Sequence, residues 1–150
     1  MPDYKWIKDS VPDDLTVKQV YGIVFSDDNR ILLRIEDGVY KLTGGKPDNC
    51  EDFEQTLKRE YLEEVNTELY DCHYLGYLFV TEDAGEQYAQ VRMVARIKSI
   101  GEERPDIDNG KMYGRELVPS GRVKEFLNYK DEAGNRMIDD AVKMAGEIYG

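Results

Sequence analysis

LKREYLEEVN, residues 57–66, sets glutamates at 60, 63 and 64 of one short amphipathic run. On a helix, residues three and four apart are neighbours. Glu60 therefore faces both Glu63 and Glu64 as like charges, and each such pair costs a few tenths of a kcal/mol. Either water screens that repulsion or something positive sits among the carboxylates. Phe53, Leu57, Tyr61 and Val65 recur at fourfold spacing, which predicts a helix from about 52 to 65 with Asp48, Asn49 or Asp52 as its N-cap. Asn66 is suited to end it, because Asn tolerates the left-handed conformation. At about 100° per residue, the three glutamates share one sector and Leu57, Tyr61, Leu62 and Val65 fill the adjoining arc. Carboxylates at the rim of a core are partly desolvated and raise one another's pKa unless a cation neutralises them. Hard divalent cations such as Mg²⁺ take oxygen ligands of this kind, together with waters and substrate phosphates.

Upstream, KQVYGIVF (18–25) and RILLRIE (30–36) are β-branched, apolar runs separated by SDDN, the pattern of a hairpin. DGVYKLTGG then reads as a short strand leading into a glycine pair. Residues 1–17 are expected to form an irregular arm or edge strand, pinned to the body by Trp6 and Ile7. Downstream, 68–81 and 86–100 are long strand candidates joined by EDAG, a central antiparallel pair. Residues 101–114 are a polar loop, RELVPSGRVKEFLNY holds a short strand and a helix start, and NRMIDDAVKMAGEIYG is an amphipathic C-terminal helix with Met137, Met144 and Ile148 toward the core. This order of elements is that of an α+β fold with a mixed sheet.

Composition narrows the partners. The chain has 150 residues, 41% of them apolar, enough for one domain over 1–150 with a buried core. Its net charge is −11, with no basic stripe, so nucleic acid is not an expected partner, whereas a small anion bridged by a divalent cation is compatible. No apolar run approaches the ~20 residues of a membrane span, and MPDYKWIKDS lacks the build of a signal peptide. The expectation is a soluble, cytoplasmic protein with no membrane partner. Cys50 and Cys72 lack CxxC spacing and read as free thiols of a reducing compartment. His73, the one histidine, is expected to be a strand residue without catalytic part. Tyr70, Tyr74, Tyr77 and Phe79 are expected to cover a core, with base stacking as the alternative there and at Trp6.

The helix does not stand alone. Gly45, five residues, Glu51, seven residues, then Arg59-Glu60-Tyr61-Leu62-Glu63-Glu64-Val65-Asn66-Thr67 follow the spacing G-x5-E-x7-R-E-U-x-E-E-x-G-U, where U is aliphatic. This resembles the box of the Nudix hydrolases. The lead-in Tyr40-Lys41-Leu42-Thr43-Gly44-Gly45-Lys46 resembles the family's aromatic-x-Leu-Pro-Gly-Gly segment, with Lys46 as in MutT-type members. Asn66 stands in place of the second glycine, Tyr61 and Thr67 in place of aliphatic residues, Thr43 in place of proline, and Cys50 where many members have glycine. No carboxylate of the box is missing.

The resemblance implies an α/β/α sandwich carrying a catalytic loop-helix-loop. Glu60, Glu63, Glu64 and the Gly45 carbonyl would hold Mg²⁺, with Mn²⁺ as an alternative, and Glu51 and Arg59 would hold the scaffold. The implied reaction is attack of a metal-activated water on a diphosphate. Either Glu63 or Glu64, or an acid of a later loop such as Asp106, Asp108 or Glu116, would take the water's proton. Arg34, Lys46 and Tyr40 are the expected substrate contacts. The implied substrate is a nucleoside diphosphate derivative, most simply a nucleoside triphosphate yielding monophosphate and pyrophosphate. ADP-ribose or a nucleotide sugar is the alternative, although Asp83 occupies the position of the proline that marks many ADP-ribose hydrolases. A non-catalytic nucleotide-binding module is a third reading, and a homodimer is compatible with the resemblance.

Overall fold

The computed structural model describes residues 1–150. The chain runs β1 (Asp3–Ile7), β2 (Val17–Phe25), β3 (Arg30–Glu36), β4 (Val39–Lys41), β5 (Thr43–Gly45), α1 (Phe53–Val65), β6 (Thr67–Thr81), β7 (Gln87–Ile100), β8 (Gly114–Pro119), a single 3-10 turn (Ser120–Arg122), α2 (Val123–Leu127) and α3 (Glu132–Tyr149). All strands join one mixed sheet in the order β1-β6-β7-β2-β3-β4, with β5 paired to β2 and β8 to β3. The long strands β6 and β7 pair antiparallel along their length, as their sequence implies, and β7 pairs parallel with β2. The N-terminal arm is an edge strand on β6. Trp6 anchors it, buried and donating its indole N–H to Asp140 at 2.7 Å.

The sheet separates two cores. Val20, Val24, Leu32, Leu57, Tyr61, Val65, Val91 and Met93 fill the space under α1, while Ile23, Phe25, Leu33, Val94, Met137 and Ile138 fill the space under α2 and α3. Alternation along β2 and β7 assigns odd and even residues to opposite faces, and the result is an α/β/α sandwich. Tyr77 and its neighbours Tyr74 and Phe79 belong to the α1 core. Leu62 is 41% exposed and Ile148 40% exposed, so both stand outside the apolar arcs expected of them. The helix α3 begins three residues before the expected Asn135, because the Asp131 carboxylate caps it by accepting from the Gly134 N–H at 3.0 Å.

The expected hairpin of β2 and β3 closes only at its turn, where Phe25 lies opposite Ile31. Beyond that pair the strands diverge. The Asp37-Gly38 turn, with φ of 51° and 77°, folds β4 back along β3 as a two-residue hairpin. The chain then crosses the gap at Leu42 and pairs as β5 with β2, Gly44 opposite Tyr21. A Cβ at Gly44 would lie 2.0 Å from the Val20 carbonyl oxygen, so only glycine fits this close approach. What reads in sequence as one strand, 37–45, is thus two short ones serving two different neighbours.

Helix α1 carries its charges on a well-anchored frame. Asp52 and Gln55 form a reciprocal capping box, each side chain bonding the other's backbone N–H at 2.8 Å. Leu57 and Val65 are buried, worth roughly 1.5–3 kcal/mol each, which outweighs the few tenths per like-charge pair on the other side. Tyr61, aliphatic in the box pattern, is wholly buried and donates its hydroxyl to the Gly22 carbonyl at 3.1 Å, so its polar atom is satisfied inside the core. Asn66 ends the helix with φ 45° and donates its amide to the Glu102 carbonyl at 2.9 Å. Asn66→Ala is expected to cost about 1–2 kcal/mol from left-handed strain and the lost bond, and Asn66→Gly distinctly less. Urea denaturation of the two variants checks the order.

Candidate active site

The loop before α1 is tied to it by one guanidinium. Arg59 donates Nε to Glu51 Oε2 at 2.7 Å, Nη2 to Glu51 Oε1 at 3.1 Å and to the Lys46 carbonyl at 3.0 Å, and Nη1 to Glu60 at 2.9 Å and Glu63 at 3.2 Å. The fork geometry of arginine suits this two-oxygen grip on Glu51. Glu51 also accepts from the Asp48 N–H at 2.8 Å and the Thr56 hydroxyl at 3.0 Å. Its carboxyl is held down to about 2, chiefly by the Arg59 hydrogen bond and then by the Asp48 N–H.

On the next turn the balance reverses. Glu64 is buried, and its Oε1 lies 3.0 Å from Arg34 Nη1. Arg34 favours the carboxylate, yet desolvation and the hydrogen-bonded Glu60 favour the acid and prevail, so Glu64 titrates well above the carboxylate range. Burial also raises Glu63, opposed by Arg59 and reinforced by Glu60, Asp106 and Asp108. Against Glu60 lies Gly45: a Cβ there would meet its carboxylate at 2.5 Å. Glycine thus lets the β5 backbone and the Glu60 carboxylate share one small space.

Nowhere are three acidic, histidine or cysteine groups gathered into a ready cation cage. Glu60 and Glu63 are both turned onto Arg59, and Glu64 onto Arg34. The donor set nonetheless fits a hard divalent cation: carboxylate oxygens of Glu60, Glu63 and Glu64 along one helix, with the β5 backbone closed up against Glu60 at Gly45. The positive groups that the glutamate spacing demands are the two arginines.

The other expected residues are dispersed around this cluster. Arg34 is held by Glu64, and its guanidinium lies 4.4 Å from the Tyr113 ring centre. The Lys46 side chain is exposed. Tyr40 donates its hydroxyl to Glu116 at 2.9 Å and packs its ring on Phe126, which turns Glu116 away from the glutamates of α1. Asp106 is buried and accepts the Asp108 N–H at 2.7 Å, shaping the loop that brings both acids near Glu63. The loop is fastened to the end of α1 by Arg104 on the Leu62 carbonyl, and by Arg115 on the carbonyls of Val65 and Gly101. Arg115 neutralises the negative helix end, which has no basic residue of its own. His73 bonds Asp71 far along β6, and Cys50 and Cys72 are free.

A cavity of about 390 Å³ opens beside Arg34, lined by Tyr21, Tyr40, Leu42, Arg92 and Tyr129 among others. Sequence reading passed over Arg92, Tyr21 and Tyr129. The one available signal was Arg92 between Val91 and Met93 in the apolar run of β7.

Because the Glu51 carboxyl sits near 2 against an ordinary value of 4.5, its contribution to stability is complete above about 4.5 and is lost as pH falls through about 2. Glu51→Gln should therefore be less stable than the wild type at neutral pH, with the gap closing steadily from pH 4.5 toward 2. Denaturant midpoints along that series check it.

No family model and no curated protein matches this chain. Solved structures do. The Bacillus subtilis pyrophosphohydrolase BsRppH is similar at TM-score 0.74 and 22% identity over 97% of this chain and 92% of its own. A Nudix hydrolase from Nitrosomonas europaea is similar at TM-score 0.65 and 21% identity, covering 89% of this chain and 90% of its own. A structure described for MutT of Aliivibrio salmonicida and Vibrio cholerae reaches TM-score 0.60 and 17% identity over 83% and 94%. With the box spacing of residues 45–67 falling on the loop, helix and turn just described, the chain has the fold of the Nudix hydrolases.

Proposed function

We infer that this protein is a divalent-cation-dependent hydrolase of a diphosphate linkage in a nucleoside diphosphate derivative, most simply a nucleoside triphosphate cleaved to monophosphate and pyrophosphate. The observation that carries this reading is the buried Glu64, 3.0 Å from Arg34 and one helical turn beyond the Glu60 carboxylate that Gly45 admits against the β5 backbone, on a fold similar to that of a pyrophosphohydrolase. Buried carboxyls are costly to keep, and those with displaced pKa values cluster at functional sites. The net charge of −11 agrees with a small nucleotide partner held through a cation, and the free cysteines agree with a cytoplasmic setting.

Glu60, Glu63, Glu64 and the Gly45 carbonyl would hold Mg²⁺ or Mn²⁺. When bound, the cation lowers the pKa of an attacking water and neutralises charge on the leaving phosphate. Glu63 or Glu64 accepts the water's proton. Arg59 keeps the carboxylates of α1 aligned with the loop through Glu51 and Lys46. Arg34 stands between Glu64 and the cavity, where it meets a phosphate oxygen without leaving its strand. The acids at 106 and 108 hold negative charge close to Glu63 and raise its basicity.

A product-release assay over nucleoside triphosphates, nucleotide sugars and dinucleoside polyphosphates tests this. Turnover of one class is expected with Mg²⁺ or Mn²⁺ and none after chelation. Glu63→Gln and Glu64→Gln should each lower kcat by about a hundredfold or more. Full activity in both variants refutes the assignment, and binding without turnover of any compound points to a nucleotide-binding module instead.

A further inference from the structure

The cavity beside Arg34 has a floor that the reaction does not use. Arg92, inside β7, is 5% exposed, and no carboxylate lies within ion-pair distance of it. Its Nε has no partner, and its other donors reach the Val91 carbonyl at 3.5 Å and Gln90 Oε1 at 3.4 Å, both at the limit of a hydrogen bond, and the Tyr129 hydroxyl. The guanidinium lies 4.7 Å from the Tyr21 ring centre and beside Tyr129. A cation–π contact recovers only part of what burying a charge costs. Asp131, in an adjoining cavity that also meets Arg92, is committed as the N-cap of α3.

A guanidinium buried with unspent donors, facing a cavity walled by Tyr21, Tyr40, Leu42 and Tyr129, lacks an acceptor-rich, flat, largely apolar partner. Arg34, Lys41 and Gln90 also line the cavity and suit phosphate oxygens, whereas Arg92 lies between the rings of Tyr21 and Tyr129. A nucleobase fits them: its faces suit the aromatic sides, and its edge suits the arginine. Bidentate arginine donation matches the adjacent O6 and N7 acceptors of a 6-oxopurine, whereas adenine turns an amino donor toward the same place. Arg34 sets the direction, since it lines this cavity while gripping Glu64.

Resting on the hydrolase reading for the phosphate end, we propose that this cavity is a base pocket in which Arg92 selects 6-oxopurine over 6-aminopurine nucleotides. Arg92 is a specificity residue and takes no part in the phosphorus chemistry.

Calorimetric titration of the full chain with GDP, IDP and ADP under chelation isolates the ring, since the three share their diphosphate. GDP and IDP are expected to bind the wild type about tenfold or more tighter than ADP. Arg92→Met should bring the three within about threefold of each other with ADP binding unchanged, and should melt at or above the wild-type temperature because it removes an unpaired buried charge. Arg92→Lys, which keeps the charge without the fork, should lose most of the preference. Equal binding of GDP and ADP to the wild type overturns the proposal. So does a preference that survives in Arg92→Met, or a collapse of melting temperature in Arg92→Met that Arg92→Lys restores along with the preference. Equal turnover of GTP and ATP removes the base pocket and leaves the hydrolase standing. Selective binding without turnover of any nucleotide does the reverse, and neither binding nor turnover of any nucleotide with Mg²⁺ or Mn²⁺ present overturns both.

Discussion

The site depends on a fork in the sheet. β2 and β3 meet at Phe25 and Ile31 and then part, and the segment 39–45 crosses the opening, first bonded to β3 and then to β2. Backbone groups along the parting edges would be left without partners in a buried sheet, a cost of the order of a hydrogen bond each. Two three-residue strands satisfy them without refilling the gap. The crossing places Tyr40 and Leu42 at a cavity and sets Gly45 against the Glu60 carboxylate. Both the glutamates of α1 and the aromatic cavity owe their position to that divergence.

Around the fork most buried or half-buried charges are balanced by a neighbour, with two exceptions, one matched against strong desolvation and one without an acid. Arg59 serves Glu51, Glu60 and Glu63 together, and Arg115 serves the carbonyl end of α1. Glu64 is matched by Arg34 yet is pushed toward its acid form by burial and Glu60. Arg92 has no acid at all. A buried charge left uncompensated is strongly destabilising, and such groups cluster at functional sites. The two exceptions lie at the two ends of Arg34's reach, one on the carboxylate side and one in the cavity it lines, which is the layout expected for a ligand with a polyphosphate end and a ring end.

Three of the five departures from the pattern have local physical explanations. Tyr61 gains a buried hydrogen bond to Gly22. Asn66 adopts the left-handed conformation that glycine would, and its side chain holds the 101–104 loop as well. Cys50 takes a positive φ of 67° at an exposed turn, the conformation a glycine adopts most cheaply. Each substitution keeps the backbone path of the loop-helix-loop and changes only what fastens it.

The helix over 53–65, its cap residues, the long strand pair and the grouping of Glu60, Glu63 and Glu64 were legible in the sequence, because they rest on local periodicity and on spacing along one helix. The division of 37–45 between two strands was not, since strand partners come from distant chain positions and a glycine pair records only that something comes close. Nor was the use of Arg34: a cation on a strand looks alike whether it meets water, phosphate or a carboxylate, and Glu64 claims it only when α1 docks on the sheet. Arg92 shows the same limit from the other side. The sequence by itself determined that a charge interrupts an apolar strand. Only the tertiary structure decided that no acid comes to meet it, because pairing across a sheet and a cavity is set by packing and not by position along the chain.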